Sequence, residues 1–162
     1  ASDVYKRQPE YSLHIFGEGN LKEDLNRMVI DMGLSERIIL KGFTNNIHKE
    51  MASSSIFVIS SDYEGISNSM LEALAIGIPV ISTDSPSGGA KMFIKDGING
   101  ILIKVGSLNE LSTAIDKVLS NKEYAITLSE EAKKLRSELS PEIITNEWMK
   151  YIDKICGGEN EG

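Results

Sequence analysis

The chain has 162 residues with a formal net charge of -7, and 41% of them are apolar and 25% charged. That length is typical of one domain, and no apolar run approaches the roughly 18 residues that a membrane-spanning helix needs. The negative charge argues against a surface for nucleic acid or anionic lipid, so any phosphate is expected to bind to local backbone amides and helix ends.

Short apolar strands alternate with helices from residue 11 onward. Residues 1–10 have four charged side chains and no apolar periodicity, and we interpret them as a lead-in whose native origin is left open. Strands are predicted at residues 12–16, 37–40, 56–60, 80–82 and 101–103. Helices are predicted at residues 21–32, 46–52, 67–76 and 89–95. This order predicts an α/β fold with a Rossmann-like, doubly wound parallel sheet.

C-terminal helices are predicted after the last strand. Apolar stripes at helical spacing occupy residues 108–119 and 125–135. A third helix begins with Ser140 as its cap and Pro141 in its first position. Its apolar residues are expected to pack either on the sheet or on something absent from the chain: Ile143, Ile144, Trp148, Tyr151 and Ile155. Residues 157–162 are predicted to form a disordered tail.

Candidate sites lie in the loops that follow strands, because ligands bind beyond the carboxyl ends of the strands of an open parallel sheet. Three such loops stand out, at residues 17–19, 42–44 and 62–67. In the third, Gly65 permits a tight turn and Ser67 can cap the next helix. The amides of Gly65, Ile66 and Ser67 are then expected to face the cleft, where a diphosphate would be favoured.

Two glutamates flank this predicted anion site. Glu64 precedes the turn, and Glu72 lies a little over one turn into the helix. An ionised carboxylate accepts hydrogen bonds from two neighbouring hydroxyls, which a ribose offers at one end of a nucleotide sugar and a hexose at the other. Glutamates are mostly exposed surface residues, but the run around Glu72, residues 70–80, is almost entirely apolar.

No metal or other cofactor is predicted. His14 and His48 have no Cys, His or acidic neighbour at metal-ligand spacing, and we interpret both as structural. Cys156 has no His near it in sequence, which argues against a nucleophile. Cys156 is the single cysteine and there is no apolar leader, which favours a cytoplasmic setting, with the parent protein peripheral at the inner face of a membrane.

The segment EGISNSMLEALA, residues 64–75, resembles the E-x7-E segment of retaining glycosyltransferases of family 4. The later GxPVI, Gly88-Gly89 and DGING motifs are similar to the same family's GG…DGxNG region. The resemblance covers residues 11–151. It implies half of a GT-B fold, with residues 11–156 as an N-terminally truncated C-terminal domain that binds the nucleotide sugar.

The resemblance also implies residue roles. Glu72 would hold the ribose hydroxyls, Glu64 would hold the sugar as the catalytic residue, and the amides of Gly65 and Ile66 would hold the diphosphate or sugar. The loop at Phe43 and Thr44 would contact the base. The other implied donor-binding residues are Ser67, Asn68, Gly17 and Gly19.

The implied function is transfer of a hexose from a nucleotide sugar, with retention and without a metal, to a glycan or a lipid-linked acceptor. Residues 82–88 resemble enzymes of bacterial surface polysaccharides, which favours a UDP-sugar. Two alternatives remain open: a nucleotide- or sugar-binding module without catalysis, and a GT-B nucleotide-sugar epimerase.

Two departures from the family pattern limit what the isolated chain is expected to do. Met92 stands where the family usually has a glutamate after the paired glycines. The family's domain also opens with a strand-helix unit carrying a Gly-Arg and a lysine, which neutralise the diphosphate, and the acceptor contacts an N-terminal domain. We therefore expect the chain alone to be inactive and to bind donor weakly, with an unpaired sheet edge open to self-association.

Overall fold

A computed structural model describes residues 11–156, so the predicted lead-in and the predicted disordered tail lie outside the described residues. The strands are β1 Leu13–Phe16, β2 Ile38–Gly42, β3 Phe57–Ile59, β4 Val80–Thr83 and β5 Ile101–Ile103. The helices are α1 Lys22–Asp31, α2 Ile47–Ala52, α3 Asn68–Ile76, α4 Leu108–Ser120, α5 Lys122–Lys133, α6 Leu135–Glu138 and α7 Pro141–Cys156. A 3-10 turn, Ala90–Met92, replaces the longer helix predicted at residues 89–95.

All the paired strands are parallel, which confirms the predicted class of fold. They form two hydrogen-bonded groups rather than one continuous sheet: β1 pairs with β2, and β4 lies between β3 and β5. Within residues 11–156, every strand except β4 has a strand partner on one edge and none on the other.

The three-stranded sheet is covered on both faces, as a doubly wound fold requires. Val80 of β4 packs with Met70 and Leu74 of α3 in one apolar core, to which α5 and α6 also contribute. The next residue, Ile81, points to the opposite face, because side chains alternate along a strand. There it packs with Ala114 of α4 in a second core. Crossover helices on both faces therefore hold β3, β4 and β5 in register.

The C-terminal helices differ from the prediction in one place. The stripe expected in one helix over residues 125–135 is divided, with α5 ending at Lys133 and α6 beginning at Leu135. The third helix begins as predicted, and Ser140 Oγ accepts a hydrogen bond from the Ile143 amide at 3.4 Å. α7 contains no buried residue, so of the two surfaces considered for its apolar side chains the sheet is not the one they cover.

None of the helices within residues 11–156 is both long enough and apolar enough to cross a bilayer.

Candidate functional site

The loops that follow β1 and β2 lie side by side. The Gly17 amide donates to the Gly42 carbonyl at 3.0 Å, and both glycines have positive φ, 128° and 69°. The Glu18 carboxylate occupies the space where a Cβ on Gly42 would lie. Gly19 is exposed, and its carbonyl accepts from the Lys22 amide at 3.1 Å. These contacts give two adjacent loops whose close approach depends on glycine.

The loop that follows β3 leads directly into α3. Ser67 is the N-cap, with extended φ and ψ of -81° and 118°, and its Oγ accepts from the Met70 amide at 3.4 Å. Gly77 ends the helix in the left-handed conformation, with φ of 88°. The predicted capping role of Ser67 is confirmed. The helix therefore starts at Asn68, between the two candidate glutamates.

The backbone amides of residues 65–69 are free to bind an anion. In the described part of the chain none of them donates a hydrogen bond, whereas the next amides, of Met70 and Leu71, are both satisfied by Ser67. Gly65 and Ile66 lie on the surface, and the Ile66 side chain is half exposed. Unsatisfied N–H groups at the start of a helix carry partial positive charge and bind phosphates well.

Glu64 is half buried and held at both its side chain and its backbone. Its Oε2 accepts from Ser61 Oγ at 3.5 Å. Its carbonyl oxygen accepts from Ser85 Oγ at 3.1 Å and also from Ser87 Oγ. The backbone at Glu64 is therefore fixed by the segment that follows β4.

Glu72 lies on the second turn of α3 with its side chain 42% exposed, and its Oε2 is 3.3 Å from His48 Nε2. The ring of His48, interpreted from the sequence as structural, is 69% exposed and borders this candidate ligand group. Nothing in the local sequence links the two residues, because the contact joins α2 to α3.

The loop at Phe43 and Thr44 connects to Glu72 through α2. Phe43 is 78% exposed, and Thr44 Oγ1 accepts from the Asn46 amide at 3.1 Å immediately before α2 begins. α2 in turn carries His48. By contrast, among residues 11–156 no hydrogen bond or ion pair joins Gly17 or Gly19 to the loop at residues 64–67. The structure thus places Glu64 and Glu72 on either side of the free amides, whereas the two glycines follow a strand of the other hydrogen-bonded group.

Two lysines beside these loops are already paired. Lys22 Nζ lies 3.0 Å from Glu18, and Lys91 Nζ lies 2.5 Å from Asp84. No cluster of three or more His, Cys, Asp or Glu side chains suited to a metal occurs in residues 11–156. Away from the site, a hydrogen bond from the Lys104 amide lowers the pKa of Glu110, whose carboxylate accepts it at 2.7 Å.

Comparison with known proteins matches residues 1–135 to a family described as glycosyl transferases group 1. The lipopolysaccharide core biosynthesis glycosyltransferase LpsE of Rhizobium meliloti is 29% identical over 93% of this chain and 44% of its own length. The chain thus spans less than half the length of this curated relative.

Two crystal structures are similar to the chain. One is a TarM mutant from S. aureus in complex with Fondaparinux, alpha-GlcNAc-glycerol and UDP, 31% identical with a TM-score of 0.84 over 93% of this chain and 30% of that one. The other is the C-terminal domain of a glycosyl transferase group 1 family protein, LpcC, from Francisella tularensis. It is 26% identical with a TM-score of 0.77, over 86% of this chain and 74% of that one. The chain therefore has the fold of the C-terminal domain of GT-B glycosyltransferases.

Proposed function

We propose that this chain, which belongs to the group 1 glycosyl transferases, forms the nucleotide-sugar-binding half of a retaining, family 4 hexosyltransferase. The observation that carries the proposal is the run of free amides at residues 65–69, with Glu64 at one end and Glu72 just beyond the other. The similarity to a protein crystallised with UDP supports a UDP-sugar as the donor.

The donor would lie over the loops that follow the carboxyl ends of the strands. The amides of Gly65 and Ile66 would bind the diphosphate, since both are free to donate. Glu72 would accept hydrogen bonds from the ribose hydroxyls, and Phe43 and Thr44 would contact the base. Because α2 joins the loop at Phe43 and Thr44 to Glu72 through His48, the base and ribose contacts belong to one connected region.

Glu64 would hold the hexose hydroxyls at the other end of the diphosphate. In the transfer, the bond between the anomeric carbon and the diphosphate oxygen would break, the acceptor hydroxyl oxygen would bond to the same carbon on the same face, and the hydroxyl proton would pass to the leaving diphosphate oxygen. The leaving diphosphate gains negative charge as that bond breaks. N–H groups aimed at this charge stabilise the transition state, in the manner of an oxyanion hole.

The acceptor would be a glycan or a lipid-linked sugar, held by a further domain of the longer protein. We expect neither a metal nor another cofactor, because the amides, with the cations of the family's upstream unit, would neutralise the diphosphate. The remaining donor contacts would come from Ser67, Asn68, Gly17 and Gly19. The protein would work in the cytoplasm, at the inner face of the membrane.

The test is a transfer reaction in the longer protein with a UDP-hexose and a glycan acceptor. NMR of the first product should show an anomeric configuration identical to that of the donor, and EDTA should leave the rate unchanged. An inverted product, or a rate lost to EDTA and restored by a divalent ion, would contradict the proposal. Release of an epimerised nucleotide sugar without transfer, or binding without any reaction, would support one of the two alternatives instead.

A further inference from the structure

Three hydroxyl groups at the end of β4 hold the backbone of the loop that follows β3. Thr83 Oγ1 donates to the Ser61 carbonyl at 2.5 Å. Ser85, which is only 3% exposed, places its Oγ 3.1 Å from the Glu64 carbonyl oxygen. Ser87 Oγ contacts the same carbonyl and also lies 2.9 Å from Ser85 Oγ. Each hydroxyl has one hydrogen, so the two serines supply two hydrogen bonds to this cluster at a time.

We propose that Ser85 and Ser87 are positioning residues that aim the Gly65 amide at the donor diphosphate. This inference rests on the proposed function. In a trans peptide unit the C=O and the N–H point in opposite directions, and the described residues contain no cis peptide bond. When the two serines hold the Glu64 carbonyl, the Gly65 N–H in the same peptide unit must point away from them, toward the exposed side of the loop.

Gly89 fixes the position of the next peptide unit. A Cβ on Gly89 would overlap the Gly65 carbonyl group and the Ile66 nitrogen, so the loop can take its observed position only because residue 89 has no side chain. The peptide unit between Gly65 and Ile66 therefore packs directly against the segment that follows β4. That segment holds two successive peptide units of the loop, the first through the serine hydroxyls and the second through this close packing.

The hydrogen bonds from Ser85 and Ser87 to the Glu64 carbonyl, called the clamp below, are needed because a glycine at position 65 leaves the backbone of the loop many conformations. Glycine populates positive and negative φ about equally, so an unrestrained loop would turn these amides in several directions. The donor would then have to order the loop as it bound, and its affinity would fall by the cost of that ordering. Serines that order the loop beforehand remove this cost, although they do not contact the donor themselves.

The test compares UDP binding by the 162-residue chain and its variants, measured by titration of ¹⁵N-labelled protein in NMR, which detects weak binding. The Ser85→Ala/Ser87→Ala double variant should bind UDP roughly tenfold more weakly, as expected for losing about one net hydrogen bond. In wild-type protein the Gly65 and Ile66 amide signals should shift on addition of UDP, and in the double variant that shift should be reduced. Ser87→Thr retains a hydroxyl at an exposed position and should bind like the wild type, whereas Ser87→Ala should not.

The chain supplies a matched control. Ser53 and Ser54 both donate to the Glu50 carbonyl at 2.9 Å. They lie in the turn that precedes β3, whereas the candidate site lies in the loop that follows it. The Ser53→Ala/Ser54→Ala variant should leave UDP binding unchanged. Equal binding by wild type and the Ser85/Ser87 variant would overturn the clamp alone, as would failure of Ser87→Thr to bind better than Ser87→Ala or an equal loss in the control. A protein that also contains the family's upstream unit and still binds no UDP would overturn the proposed function and the clamp with it.

Discussion

Glu72→Ala should weaken binding of UDP and of a UDP-hexose by the same factor, because ribose is present in both. Glu72 Oε2 lies beside His48, and the Glu72 side chain is 42% exposed. The proposed hydrogen bonds to ribose would therefore form in a partly solvent-exposed site. A hydrogen bond to a charged group contributes roughly 1.5–3 kcal/mol, and solvent screening reduces two such bonds to about 2–3 kcal/mol in total. Loss of these hydrogen bonds alone corresponds to roughly 30- to 150-fold in affinity.

Repulsion between the glutamates and the diphosphate acts in the opposite direction but is smaller. For two unit charges about 8 Å apart in a half-exposed site, with an effective dielectric between about 40 and 80, it amounts to roughly 0.5–1 kcal/mol, or about 1–2 kcal/mol for one glutamate and a diphosphate of about two charges. For Glu72 the lost hydrogen bonds outweigh the relieved repulsion by about 1 kcal/mol, so the net loss of affinity is roughly fivefold. Glu64 makes no contact with UDP in the proposed geometry, so Glu64→Ala should bind UDP equally or slightly more tightly. It should still bind the UDP-hexose more weakly.

Calorimetric titration of UDP and of UDP-hexose into each variant measures these changes, in a protein that also contains the family's upstream unit. Glu131→Ala is the matched control, because Glu131 is likewise a helical glutamate, 37% exposed and paired with a basic residue, Lys134, at 2.6 Å. The control should bind both ligands normally. Equal losses for UDP and UDP-hexose in both glutamate variants would refute the division of roles between Glu64 and Glu72.

Three further predictions concern the isolated chain. Adding the family's upstream unit with its Gly-Arg and lysine should raise UDP affinity at least about a hundredfold, because two charge-assisted hydrogen bonds are gained; equal affinity by calorimetry would show that these cations are dispensable. The pKa of Glu110 is lowered in the fold by the Lys104 amide, so its contribution to stability is present above the ordinary value of 4.5 and is lost as the pH falls through the lower folded value. Urea unfolding of Glu110→Gln should therefore show a smaller loss of stability in acid than the wild type, and identical acid profiles would contradict this. The edges of β1 and β3 that lack a strand partner within residues 11–156 should cause concentration-dependent self-association, which a constant monomer mass in sedimentation equilibrium would disprove.

Local signals in the sequence were sufficient for the elements that carry the site. Ser67 precedes a predicted helix and has a hydroxyl that can accept from a helix amide, and it caps α3 as predicted. Ser140 does the same for α7, and Gly77 ends α3 because glycine tolerates the left-handed conformation. The position of Glu64, the Gly65 turn and Glu72 follows from these boundaries. Caps and turns are encoded within a few residues, so they are accessible without a structure.

Features that depend on contacts between distant segments were not accessible in this way. His48 meets Glu72 because α2 packs beside α3, and Ser85 reaches Glu64 because β4 lies next to β3. The division of the strands into two groups is likewise a matter of pairing, which the apolar pattern of each strand does not specify. The same holds for α7, where an amphipathic stripe predicted a buried face and the structure leaves it exposed. Periodicity identifies an apolar face but not the surface that covers it.

The charge of the domain explains why orientation of the loop matters so much. The chain has a net charge of -7, and the nearby Lys22 and Lys91 are each paired with an acid. Within this chain, attraction for a diphosphate therefore has to come from peptide dipoles, and the start of a helix offers only about half a unit of positive charge. A dipole attracts or repels according to its direction. If the peptide unit between Glu64 and Gly65 turned over, a carbonyl oxygen would face the phosphate where an N–H does now. The serines that hold that carbonyl inward therefore determine whether this acidic loop attracts or repels its ligand.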